Sequence, residues 1–412
     1  MYVTRLSTAS KGFPVIWDEW LARFLLALGV VALPISVVFN HALGLSIVIM
    51  VPRIGWRRLL DDMRQIEANR WFVLWMVWAL LSVAWTAAPW MDGVGDWWKI
   101  AQRLIMAMCL PSVLCHLKSQ RWVLKLFCTS VVGVIAVTSA VQVFGLHWPM
   151  WSKQIAPIEL SVFAAFVMAI GLRTCDGRRA SMGWWCIVVS MLVFEFYINV
   201  ERTGMVVMIS LGLFEAWRRF GKQGVLIFSM LIPFALAGIW ATSPSFAHRM
   251  HQSVDNVVGF QTKPHHALGD NSLGLRLTFA KFCLQSIIHH PVIGRGLAAY
   301  RHDFEATGGV KIANYFIPKH PENGYLHLLY ELGLVGFGLM GFWFYNTFSN
   351  LGRHASAARD RMIIFLIIWL VSGLFFTPFY TNRMLTFFAM MVGLWQSERL
   401  QTIMTPSSED RA

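Results

Sequence analysis

The length of its apolar runs constrains this chain most. Residues 187–200 and 205–216 carry almost no charge, and the same holds for residues 225–241, 325–348 and 362–376. Such runs approach the ~20 residues that a helix needs to cross a hydrocarbon core of ~30 Å. Composition agrees: 56% of the chain is hydrophobic and 14% charged, against about 25% charged in soluble globular proteins. The mean hydropathy is +0.54. Backbone inside a bilayer must satisfy its own hydrogen bonds, which makes the spans helical. The expected fold is an all-α polytopic membrane protein; a soluble protein with buried helices is the disfavoured alternative.

About twelve spans are predicted, near residues 20–33, 35–51, 71–87, 99–115, 123–143, 158–173, 183–200, 204–217, 224–242, 324–347, 361–377 and 380–397. Alternate loops differ in charge. One set holds Arg53, Arg57, Arg58, Arg64 and Arg70; then Lys118, Arg121 and Lys125; then Arg173, Arg178 and Arg179; then Arg218, Arg219 and Lys222; and last Arg353, Arg359 and Arg361. The other set is poor in cations, with Lys153, Arg202 and Arg383 as its scattered members. By the positive-inside rule the basic loops face the cytoplasm, and both termini do too. The net charge of +13 therefore reads as topology. No basic stripe with interleaved aromatics marks a nucleic-acid groove.

The organisation expected is nine spans over residues 1–242, one large outer loop over 243–323, three spans over 324–400 and a short cytoplasmic tail over 401–412. A connection of some 80 residues is too long for a bare linker. Within it, Ser272 to His290 has helical spacing of apolar residues, with Asn271 or Ser272 as start and His290-Pro291 as stop. The six cysteines are scattered. None forms a CxxC or Cys/His zinc spacing, so neither a disulfide framework nor a metal site is suggested.

Three places on the outer side carry chemistry-bearing residues. Arg202, in Asn199-Val-Glu-Arg-Thr-Gly204, is a cation in a very short outer turn. Ionisable groups at a membrane edge are costly and often functional, although pairing with Glu201 or snorkelling to headgroups would also account for it. Arg276, near the start of the loop helix, offers a planar fork matched to phosphate oxygens, or is simply an exposed helix arginine. The third place is His320-Pro-Glu-Asn-Gly-Tyr-Leu326, where the loop ends and a span begins. Pro321, Glu322 and Asn323 are helix-start signals. A helix N-terminus there favours a bound anion and a neutral His320 able to accept a proton. Glu322 is a second possible base. Arg295 and Arg301 either extend an anion-binding surface or are solvated. His265-His266 and His289-His290 are adjacent pairs, lacking the spacing that puts two ligands on one helix face. Asp92 and Asp96 read more readily as a solvated cap than as a metal site.

Taken together, Glu201-Arg-Thr-Gly204, Ser272-Leu-Gly-Leu-Arg-Leu277, His290-Pro-Val-Ile-Gly-Arg-Gly-Leu297, His320-Pro-Glu-Asn-Gly-Tyr-Leu326 and Glu331-Leu-Gly-Leu-Val-Gly336 resemble the O-antigen ligase/polymerase superfamily of bacterial envelope glycosyltransferases. The resemblance is close over residues 185–345. It implies a C-type glycosyltransferase-like fold in the bacterial inner membrane, with a mostly helical periplasmic loop and a periplasmic active site. It implies an O-antigen ligase that moves glycan from an undecaprenyl-pyrophosphate donor to a sugar hydroxyl of lipid A–core, by an inverting displacement without metal or cofactor. Membrane lipids surround such an enzyme and no nucleic acid is involved. Carried over by position, the family's arginines fall on Arg202 and Arg276, which would bind the pyrophosphate, and its histidine on His320. Many members read His-x-His-Asn where this chain reads His320-Pro-Glu-Asn323, so the base stays open between His320 and Glu322. O-antigen polymerase and protein O-oligosaccharyltransferase are alternatives within the superfamily. A secondary transporter is the alternative of another class. Against it, the ionisable residues gather at the outer edge and no half-to-half repeat is visible.

Overall fold

The computed structural model describes residues 15–36, 41–145, 156–174, 182–262, 272–307, 320–350 and 356–404. His265, His266, Lys153, Arg178, Arg179, Arg353 and the tail after Thr405 lie outside these. Fifteen α-helices are present among the described residues, and no strand. The first eight are α1 (Val15–Ala32), α2 (His41–Ile54), α3 (Trp56–Gln65), α4 (Asn69–Ser82), α5 (Trp90–Leu117), α6 (Gln120–Val143), α7 (Pro157–Thr174) and α8 (Met182–Val193). A π-helical turn, Phe194–Asn199, extends α8. There follow α9 (Arg202–Thr242), α10 (Pro244–Thr262), α11 (Ser272–His289), α12 (Ala299–Ala306), α13 (Gly324–Ser349), α14 (Ser356–Ser372) and α15 (Asn382–Met404).

The chain is an all-α membrane protein. Among the described residues, five elements are long and apolar enough to cross a bilayer: α5, α6, α8 with its π turn, α9 and α13. The pair α3–α4, bent by 99°, makes a sixth if taken as one broken span. This is fewer than the twelve that sequence suggests, partly because several elements are short or charged. Helix α4 has 14 residues and α14 has 17, and α1 holds Asp18, Glu19 and Arg23 within its 18.

Helix α9 counts as one element but turns back on itself. At Gly221 the backbone leaves helical geometry with φ 61° and ψ −146°. The two arms then close together: a Cβ on Gly212 would lie 2.5 Å from the Phe228 ring. The far end returns to the near end, where the Tyr197 and Thr242 hydroxyls lie 2.8 Å apart.

The core is aromatic. Phe387 of α15 sits 5.2 Å from Phe163 of α7 and 5.3 Å from Phe127 of α6, ring centre to ring centre. Helix α5 makes its most extensive packing with α15. Arg383 at the start of α15 donates to Glu159 of α7 at 2.6 Å, a buried pair that fixes the first turns of both helices. Segment 243–323 contributes α10, α11 and α12. Phe279, Phe282, Cys283, Tyr300 and Phe304 form a small second core with Tyr330 of α13.

Two of the motifs read from sequence form a single joint. Helix α13 breaks at Gly333, with φ 62° and ψ −168°. The 291–297 loop docks into this break: Arg295 N donates to Tyr330 O at 2.8 Å, Gly296 N to Glu331 O at 2.8 Å, and Leu334 N to Pro291 O at 2.9 Å. The loop's other side is held to the end of α4, where Thr86 donates to Leu297 O at 2.8 Å. The joint fixes the direction of the first two turns of α13, which carry the candidate site.

Candidate active site

Three consecutive helices each bring an arginine to one place. Arg202 is the first residue of α9, Arg249 lies on α10 and Arg276 on the first turns of α11. Arg202 is in the field of both other cations and of Glu201. Glu201 lies 3.4 Å from Arg249, and Glu322 lies 3.5 Å from Arg276. Burial pushes the carboxyls of Glu201 and Glu322 above the usual range. Arg249, Arg276 and Arg202 oppose that for Glu201, as Arg276 does for Glu322.

Local chemistry explains how Arg202 gets there. The π turn ends at Val200, whose φ is 49°, and π turns often mark functional sites. The Glu195 carboxylate inside that turn accepts from Ser161 at 3.0 Å, and Asn199 donates to the same Ser161 hydroxyl at 2.6 Å. Gly204 has no room for a side chain, since a Cβ there would lie 2.3 Å from Glu195 Oε1 and 2.4 Å from Ser161 Cβ of α7. The close approach of α9 to α7 therefore depends on glycine, and it seats Arg202 at the mouth of the bundle.

The start of α13 faces the other way. Asn323 caps it, accepting from Tyr325 N at 3.1 Å and Leu326 N at 3.0 Å. Asn323 also donates to Leu374 O at 3.0 Å, tying the cap to the turn after α14. Glu322 takes no part in capping, contrary to the sequence expectation. Its φ is 55°, a left-handed conformation that turns its side chain out of the helix start towards Arg276.

His320 sits in a stack of rings. Its centroid is 5.0 Å from Tyr380 and 5.2 Å from His327, and His327 is 3.8 Å from Tyr380. Glu331, one turn along α13, has Oε1 3.1 Å from His327 Nε2 and accepts from the Tyr380 hydroxyl through Oε2. Burial first, and the Glu331 charge second, raise Tyr380 well above the ordinary phenol value, so it remains a donor. His320, His327, Glu331 and Tyr380 line one wall of a cavity of about 580 Å³. Asp92, Asp96, Lys99, Arg301, His302, Glu305 and Asn382 line the rest of its polar surface.

The structure thus divides the four residues singled out from sequence. Arg202, Arg276 and Glu322 belong to the arginine cluster, whereas His320 belongs to the ring stack, with only Pro321 between the two groups. Arg295 is not an anion ligand here: it forks onto Asp303 at 3.0 and 3.1 Å, and Tyr330 donates to the same carboxylate at 2.7 Å. Arg301 pairs with Glu305 at 2.8 Å on the cavity rim. Arg249, His327 and Tyr380 were missed. A faint signal existed for His327, an ionisable residue in the first turns of a span and four residues before Glu331. Nothing local marks Arg249 or Tyr380. Among the described residues no group of three or more metal-ligating side chains converges.

Guanidinium groups gathered in this way offer forked donors that match the oxygens of a phosphate group, beside a histidine-walled polar cavity at one end of the bundle. Residues 186–341 match the family described as O-antigen ligase. The match covers less than half of the chain; it supports the O-antigen ligase superfamily and a ligase- or polymerase-type enzyme role. The matched segment runs from α8 to the middle of α13, and it contains Arg202, Arg249, Arg276, His320 and Glu322. No curated protein matches the chain.

Proposed function

We propose that this protein is an O-antigen ligase, moving glycan from undecaprenyl pyrophosphate to a sugar hydroxyl of lipid A–core on the periplasmic face of the inner membrane. The observation that supports it best is the adjacency, across Pro321, of an arginine cluster and a histidine-walled cavity. Arg202, Arg249 and Arg276 hold the donor's pyrophosphate. The polyprenyl tail stays in the bilayer. The acceptor hydroxyl enters from the cavity side and attacks the anomeric carbon. The bond from that carbon to the pyrophosphate oxygen breaks, the anomeric centre inverts, and the acceptor proton passes to His320. Fixed guanidinium groups stabilise the charge that builds on the leaving pyrophosphate. Glu322 is the weaker base, because Arg276 already occupies it. His327 and Tyr380 position the His320 ring, with Glu331 behind them.

The test is transfer by purified protein from undecaprenyl-pyrophosphate glycan to lipid A–core, with chelator present. Arg276→Ala and His320→Ala are each expected to lose transfer by about 100-fold or more. Full transfer by both variants would overturn the assignment of the site. Elongation of the lipid-linked donor, with none to lipid A–core, would make the protein a polymerase acting through the same residues.

A further inference from the structure

At the opposite end of the bundle, α6, α7, α8, α9 and α14 surround a crevice of about 860 Å³. Its depth is apolar, with Cys128, Val132, Val167, Ile170, Ile187 and Ile364 on the walls. Its mouth is basic: Arg121, Lys125, Arg173, Arg218 and Arg361 face it, with Asp360 as the one lining carboxylate. Some of these cations already have partners. Arg173 bridges Glu215 at 3.2 Å and Asp360 at 2.5 Å, Arg218 and Arg219 pair with Glu215, and Arg361 pairs with Glu398. Counting these partners, six cations meet three carboxylates, so positive charge remains in excess. The excess is carried at the rim by Arg121 and Lys125 of α6, which are exposed; neither makes an ion pair among the described residues, and Arg121 lies in the field of Glu398, already counted.

We propose that this crevice binds an anionic diacyl phospholipid from the leaflet around it. An apolar slot open at a basic mouth suits two acyl chains and a phosphodiester, and the excess charge selects an anionic headgroup over a zwitterionic one. The charge rule assigns this end to the cytoplasm, where basic pockets between membrane helices commonly take acidic lipids. The site lies far from the arginine cluster, near the turn that follows α5, and does not depend on the proposed transfer reaction. Trp184, a residue type that favours the headgroup level, lines the same crevice.

Native mass spectrometry of the full chain, with dioleoylphosphatidylglycerol and dioleoylphosphatidylcholine supplied at equal concentration, tests this. The wild type is expected to retain phosphatidylglycerol in clear preference. The preference should fall about 25-fold in Arg121→Ala/Lys125→Ala, since each cation near an anionic lipid is worth about fivefold. Neither residue takes part in packing the core, so the variant should fold. Arg57→Ala/Arg64→Ala, which removes two exposed charges from α3, should keep the preference. Equal retention of the two lipids by the wild type would overturn the proposal, as would an unchanged preference in the α6 variant or the same loss in the α3 variant. Undecaprenyl phosphate displacing phosphatidylglycerol at equal concentration would overturn it too, by making the occupant a polyprenyl phosphate.

Discussion

Glu322 occupies the position at which the base was ambiguous, and its surroundings give it a different task. Its carboxyl is held above the usual range by burial while Arg276, 3.5 Å away, opposes the shift. Above that raised pKa the carboxylate competes with pyrophosphate for Arg276. Below it the carboxyl is neutral and the guanidinium is released. Donor affinity should therefore rise as pH falls through this range, by about two- to fivefold for a half-exposed pair. Glu322→Gln should bind more tightly at neutral pH and lose the share of the dependence that Glu322 carries, while Glu201 beside Arg249 keeps its own. Isothermal titration or a retention assay with the lipid-linked donor, from neutral pH downwards, reads the difference. An affinity that weakens on acidification, in the wild type and Glu322→Gln alike, would mean that Glu322 does not gate Arg276.

At the scale of elements, glycines set the paths that bring the site together. At Gly333 a Cβ would lie 2.2 Å from Val292 O and 2.6 Å from Gly294 N, and φ is 62°. Gly333→Ala should cost at least ~2 kcal/mol from backbone strain and the displaced loop. It should also lower transfer, because the first turns of α13 carry His327 and follow His320. Gly338, in the same helix, has no atom within 4 Å of a built Cβ, so Gly338→Ala should be neutral or stabilise by ~1 kcal/mol. Thermal unfolding of both variants in one detergent checks the contrast, and equal melting temperatures would refute it. Some of this was legible in sequence. A helix from Ser272 to His290 was readable from its apolar spacing and its stop at Pro291, and the structure has Ser272–His289. Asn323 was readable as a cap. Arg202 and Arg276 stood out because charge is scarce beside apolar runs. The loop-to-helix joint at Gly294 and Gly333 was not readable, since it depends on backbone atoms some 40 positions apart. Arg249 and Tyr380 were hidden for the same reason: each acts on residues of a distant segment, and neither sits in a local pattern that needs it.

For the molecule as a whole, the two polar centres mark opposite ends of one helix. Asp92, Asp96 and Lys99 at the start of α5 line the His320 cavity, and Arg121 and Lys125 follow its other end. With 28 residues, α5 spans about 42 Å, enough to carry its two ends past both faces of a ~30 Å hydrocarbon core. The charge asymmetry of the loops then has a structural meaning, since it decides which centre meets the periplasm. A lipid-linked glycan and lipid A–core can meet only on that side, so the ligase reading fails if the chain is inserted the other way. Single cysteines at Arg301 and Arg64, in a background with all six native cysteines replaced by serine, report the orientation. In spheroplasts a membrane-impermeant maleimide should label Arg301→Cys at once and Arg64→Cys only after permeabilisation. The reverse pattern would put His320 in the cytoplasm, away from both proposed substrates, and would turn the basic crevice towards the periplasm. Labelling of both before permeabilisation would mean that α5 does not separate the two compartments.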